Sequence, residues 1–138
     1  MIFTHPIRVY WEDTDAGGIV YHSNYLNFAE RARSEMVRSL GIDQRALAAD
    51  GKGFAFAVRR AEMDFFRPAR LEDLLEVETR VIEAGGASLS LLQTIRRLDE
   101  SAELVRLHIR LAFICLDGRA ARIPAEMRAV LRALVSER

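Results

Sequence analysis

The sequence holds a single cysteine, Cys115, among 138 residues. One thiol excludes an intrachain disulfide framework and a thiolate zinc cluster. Histidine is almost as scarce. His5, His22 and His108 lie far apart, with no His–Glu or His-x3-His spacing, so neither a metal nor another cofactor is expected. An excess of one charge is also missing: twenty basic and twenty acidic residues cancel. No global basic field exists to draw nucleic acid or an anionic membrane surface, and both drop out as main partners. No apolar run approaches the ~20 residues that span a bilayer. The opening stretch Met1–Pro6 is too short and polar for a signal peptide, which leads to the expectation of a cytoplasmic protein. Repeats, low-complexity tracts and linkers are absent, so residues 1–138 read as one domain.

Half of the residues are hydrophobic and 29% are charged, a balance that suits a folded globular chain rather than a disordered one. Ile7, Val9 and Trp11 alternate with Arg8, Tyr10 and Glu12, which predicts a first short strand. A helix is predicted from a cap at Ser23 or Asn24 to about Leu40, with Tyr25, Phe28, Ala29, Ala32, Met36, Val37 and Leu40 as its apolar stripe. Gly41 would end it. Asp43–Ala49 reads as a second, short helix. The period then falls to two. Strands are predicted at Phe54–Phe66, Leu74–Ile82, Ser88–Leu98 and Val105–Cys115, the last placing Cys115 in the core. Pro124 opens a final helix to about Val135, with Met127, Val130, Leu131 and Leu134 inward. Strands joined by tight turns form an antiparallel sheet, and the long striped helix must bury its face on it. The fold class is therefore α+β, a curled antiparallel sheet of about five strands around one long central helix.

The densest chemistry lies in Trp11-Glu12-Asp13-Thr14-Asp15-Ala16-Gly17-Gly18-Ile19-Val20-Tyr21-His22-Ser23-Asn24-Tyr25. A glycine turn before a helix exposes backbone N–H groups that can hold developing negative charge. Asp15 beside such a turn can serve as base or nucleophile on a polarised carbonyl, which points to acyl hydrolysis. The bland alternative makes Asp15 an Asx-turn residue. Asp13 is read as structural. Gly17 and Gly18 allow close backbone approach, and Tyr21 stands at the helix entrance. His22 could bond a carbonyl oxygen or a leaving thiolate, or orient Asp15. His108 reads as solvated, and His5 as part of a frayed terminus. Arg59, Arg60, Arg67, Arg96, Arg97, Arg119 and Arg122 are possible phosphate partners, though arginines on strands are usually solvated. Glu30 and Glu35 most simply pair with nearby helix arginines.

At these residues the chain resembles the hotdog-fold acyl-CoA thioesterases of the 4-hydroxybenzoyl-CoA thioesterase type, in particular the branch associated with the Tol–Pal cell-envelope system. The resemblance rests on Val9 to His22, Asn24-Tyr25-Leu26, Glu30 to Glu35, Phe56-Ala57-Val58-Arg59 and Asp64 to Ala69. It implies a hotdog fold and hydrolysis of an acyl-CoA, or of an acyl carrier protein thioester. Catalysis would fall to Asp15 with His22, and the N–H groups near Tyr21-His22 would polarise the carbonyl. It also implies sites at the subunit interface of a homodimer or homotetramer, without a membrane span but open to peripheral contact with the inner membrane. Trp11 stands where this branch often carries a tyrosine, so an indole replaces a phenol in the substrate region. The turn Glu83-Ala84-Gly85-Gly86-Ala87 lacks the basic residues that relatives place there for CoA phosphates, which leaves Arg59, Arg119 and Arg122 as candidates. A binding module of a cell-envelope complex with little turnover, and a hotdog dehydratase, are the competing readings.

Overall fold

The computed structural model describes residues 1–135. Strand β1 spans Phe3–Arg8, helix α1 Asn24–Ser39, helix α2 Gln44–Ala49 and strand β2 Phe54–Phe65. Strands β3 (Leu74–Ala84), β4 (Ser88–Arg97) and β5 (Glu103–Cys115) follow, and then helix α3 (Ala125–Ala133). The five strands form one antiparallel sheet in the order β1-β3-β4-β5-β2. The two strands flanking α1 and α2 in sequence thus lie at opposite edges, and α1 crosses the face between them.

Alternation decides which face that is. Leu75, Val77, Thr79 and Val81 of β3 are buried, as are Leu107, Ile109, Leu111 and Phe113 of β5, whereas His108 and Arg110 are exposed. Residues two apart share a sheet face, so the whole apolar set covers one side. Helix α1 meets it with Tyr25, Phe28, Ala29, Ala32, Met36 and Val37, all buried. Ala29 and Ala32 keep the contact close. Beneath them the buried Gln93 amide of β4 donates to the Ala29 carbonyl and to the Thr79 hydroxyl, each at 2.9 Å. That polar tie joins helix to sheet inside the core. Full burial of a residue such as Phe28 contributes about 1.5–3 kcal/mol. Gly41, at φ +81°, stops α1 in the left-handed conformation, and the Gly41 and Ile42 amides return to the Arg38 and Val37 carbonyls.

Several local expectations change. The first strand lies at Phe3–Arg8 rather than Ile7–Glu12, and Trp11–Asp13 forms a 3-10 turn. The cause is Asp13, whose carboxylate accepts the Tyr10 amide at 2.8 Å and pulls the chain out of extension. His5 is paired opposite Val77 in β1 rather than frayed. Neither Ser23 nor Asn24 caps α1 through its side chain, because the Asn24 amide turns to the Asp13 carboxylate instead. Cys115 is only half-buried at the end of β5. Val130 faces out at 40% exposure, since Leu131 and Leu134 take the buried side of the last turns.

Candidate active site

Residues 14–20 form a tight hairpin ahead of α1. Thr14 pairs with Val20, the Asp15 amide donates to the Ile19 carbonyl at 2.9 Å, and the Gly18 amide donates to the Asp15 carbonyl at 3.1 Å. Gly18 sits at φ +79°, the left-handed position this three-residue loop requires. The Asp15 Oδ1 accepts the Gly17 amide at 2.8 Å, so the Asx turn is real. The side chain nevertheless remains exposed, and its Oδ2 has no hydrogen-bond donor among the described residues. One carboxylate oxygen shapes the turn while the other stays free of protein donors among the described residues.

Two anchors hold this hairpin. Asp13 is buried; its carboxylate accepts the Tyr10 amide and the Asn24 side chain, and its carbonyl accepts the Tyr21 amide at 2.9 Å. It is structural, as its sequence context suggests. The second anchor is the segment after β2. Ile19 pairs with Arg70, the Val20 amide donates to the Ala69 carbonyl at 2.9 Å, and the Ala69 amide donates to the Tyr25 hydroxyl at 3.1 Å. Arg97 clamps the same segment through Asp73 and the Pro68 carbonyl, both at 2.9 Å. Burial pushes the Tyr25 phenol above its ordinary value, and the Asp73 and Asp15 charges add to that. The Ala69 amide and Arg97 oppose it. Asp15 is therefore within electrostatic reach of Tyr25.

At the helix entrance the Tyr21 amide is committed to Asp13, so it cannot serve an outside oxyanion. The His22 amide has no acceptor among the described residues and remains open. The His22 ring is exposed and packs 4.6 Å from the Tyr21 ring, with Phe65 edge-on at 6.5 Å. Phe65 also lies 5.9 Å from Tyr25, so the end of edge strand β2 reaches the site. Trp11 projects from the 3-10 turn at 78% exposure, and Tyr10, Tyr21, Phe65 and Phe66 are exposed as well.

The arginines separate. Arg59 is the extra residue of a bulge on β2, where the register jumps between Val58 and Arg60. Arg119 is paired with Asp117 at 3.2 Å on the exposed surface. Arg122 lies over the β3–β4 turn, where a Cβ on Gly86 would come 3.6 Å from its Nη2. Arg132 joins it by donating to the Ala84 carbonyl at 3.2 Å. A turn without basic residues in sequence thus acquires two guanidinium groups in space. On α1, Glu35 pairs with Arg38, while Glu30 accepts the Ser34 hydroxyl at 3.3 Å and holds its charge near Arg33. Sequence reading missed Phe65, Arg132 and the anchoring role of Tyr25. In the sequence Tyr25 closes the motif and joins the apolar stripe, but neither gives it a partner; a tyrosine there instead of a leucine is the local hint of one.

A five-stranded antiparallel sheet packed on one long helix, with an acid-bearing glycine turn at the start of that helix, is the hotdog architecture of thioesterases. The chain belongs to the thioesterase-like superfamily, whose model matches residues 9–131. It is 39% identical to the acyl-CoA thioester hydrolase YbgC of Escherichia coli, over 99% of this chain and 95% of that one. It is equally 39% identical to the acyl-CoA thioesterase YbgC of Haemophilus influenzae, over 96% of each. Among solved structures, a probable thioesterase from Bartonella henselae superposes with a TM-score of 0.84 at 36% identity, covering 90% of this chain and all of that one. A 1,4-dihydroxy-2-naphthoyl-CoA thioesterase from Synechocystis superposes at 0.87 with 25% identity, covering 97% and 98%.

Proposed function

We propose that this chain hydrolyses acyl-CoA thioesters, with Asp15 as base or nucleophile and the His22 amide as the oxyanion donor. The observation that carries this reading is a carboxylate oxygen without a donor on the hairpin and, just after it at the helix start, a His22 amide without an acceptor among the described residues. In the base route, Asp15 takes a proton from water and the oxygen adds to the thioester carbon. The His22 N–H stabilises the tetrahedral oxyanion. Collapse expels CoA thiolate, which takes up the proton, and the free acid leaves. In the nucleophile route, the Asp15 carboxylate adds to the thioester carbon and the C–S bond breaks to release CoA thiolate, leaving an acyl anhydride. Water then cleaves it to the free acid and the Asp15 carboxylate, and the released proton goes to the thiolate. In this reading the exposed His22 ring bonds the carbonyl or the departing thiolate, and the exposed Trp11 flanks the acyl group. Arg122 stands nearest in role to a phosphate partner. Single-turnover hydrolysis of a short acyl-CoA by Asp15→Asn protein tests the assignment: near-wild-type turnover would overturn it.

A homodimer, and a tetramer built from it, supports this reading best. Strand β2 is a 12-residue edge strand, with Val58 and Phe65 exposed along it and Phe66 exposed just after it. Such an edge invites pairing, and apolar patches of this kind mark interfaces. A fully active monomer at micromolar concentration in sedimentation velocity would remove the dimer. No helix among the described residues is long and apolar enough to cross a membrane. The likeness to the Tol–Pal-associated branch supports a cytoplasmic enzyme with peripheral contact to the inner membrane, acting on CoA or acyl carrier protein thioesters. Comparing kcat/KM on the two carriers decides between those substrates.

A further inference from the structure

The face of the sheet turned away from α1 carries a groove of its own. Along β4 the outward side chains are short: Ser90, Leu92 and Thr94. Longer ones flank them, with Arg80 of β3 opposite Leu92 and Arg110 of β5 opposite Ser90. They enclose a cavity of about 490 Å³ to which no residue of the Asp15–His22 hairpin contributes.

Its charges do not cancel locally. Among the lining residues Arg60 pairs with Glu62 at 2.8 Å and Arg96 pairs with Glu78, while Glu103 is taken by Arg106. Arg80 and Arg110 have no carboxylate partner among the described residues. The register also sets Arg110 directly opposite Arg60 on the neighbouring strand. Glu62 offsets Arg60 in part, while Arg110 beside it has no carboxylate of its own among the described residues. A guanidinium fork matches a carboxylate in two parallel hydrogen bonds, and the Ser90 hydroxyl adds a third donor. Ile82 and Leu92 supply an apolar floor beside these groups.

We propose that this groove binds an organic carboxylate with an apolar chain, the head held by Arg80, Arg110 and Ser90 and the chain lying along Leu92 and Ile82. Thioester hydrolysis releases such an acid, so the groove would let the enzyme sense its product class away from the site that forms it. That link rests on the proposed activity, whereas the binding does not.

Isothermal titration of the full-length protein with octanoate, inorganic phosphate and 1-octanol tests the proposal. Octanoate should bind saturably, with phosphate and octanol each at least about tenfold weaker. Arg80→Ala and Arg110→Ala should each weaken octanoate by about tenfold or more, as expected for a lost charge-assisted contact. The lysine variants, which keep the charge but not the fork, should lose less. Asp15→Asn should leave octanoate binding unchanged. Absence of saturable binding, or wild-type affinity for octanoate in both alanine variants, overturns the proposal. So does a change of octanoate affinity in either direction in Asp15→Asn, which would move the acid to the hydrolytic site. Phosphate binding as tight as octanoate overturns the apolar half. Both arginines lie on the outer face, and thermal melts of the variants separate unfolding from lost binding. A CoA-release assay on wild-type protein judges the hydrolase reading separately.

Discussion

The Tyr25 hydroxyl accepts the Ala69 amide at 3.1 Å, and the carbonyl of the same Ala69 accepts the Val20 amide at 2.9 Å. One phenol on the central helix thereby holds, through a single buried residue, the hairpin that presents Asp15.

Tyr25→Phe should leave the buried Ala69 amide without an acceptor and cost about 1–3 kcal/mol of stability. The Asp15 hairpin would lose its backing, so kcat should fall more than KM rises. The raised Tyr25 pKa adds a pH signature. Below the ordinary tyrosine value of about 10, both folded and unfolded forms keep the proton and the contribution is complete. As pH climbs from there through the higher folded value, the unfolded form loses its proton first and stability declines. Alkaline melts of wild type should show this decline, and those of Tyr25→Phe should show less of it.

Asp15→Asn separates turn-making from chemistry. The asparagine Oδ1 can still accept the Gly17 amide, so the hairpin and the melting temperature should persist. At neutral pH it neither takes a proton from water nor forms an anhydride, and kcat should drop by at least ~10²-fold. His22→Ala should cost less, because the backbone amide remains. Trp11→Tyr should be tolerated.

Asp13→Ala should act through structure. It strips acceptors from the Tyr10 amide and the Asn24 side chain at a buried position, a loss of about 1–3 kcal/mol. Urea titration should show the destabilisation, and activity should fall with it because Tyr21 and His22 move.

Arg122 and Arg119 should part company in kinetics. Arg122→Ala removes a free guanidinium above Gly86 and should raise KM for acyl-CoA by an amount matching about 1.5–3 kcal/mol, with kcat nearly unchanged. Arg119 already shares its donors with Asp117, so Arg119→Ala should change KM less. Equal effects of the two would remove Arg122 from the nucleotide end.

Much of this protein was legible in its sequence because the signals are local. The period-2 runs of β3 and β5, the stripe from Tyr25 to Val37, and Gly41 as terminator each depend on neighbours a few residues away, and all stand in the structure. The acid-bearing glycine turn before a helix was legible for the same reason. Tertiary structure decided what depends on distant residues. Tyr25 becomes an anchor only when folding brings Ala69, forty-four positions on, to its hydroxyl. Arg122 and Arg132 reach the β3–β4 turn only because the C-terminal segment packs beside it. The first strand ends early because a buried carboxylate at Asp13 outweighs the alternation that favours extension. Side-chain period follows from backbone geometry along one segment, whereas pairing partners follow from which segments bury their apolar faces together. That choice belongs to the whole chain.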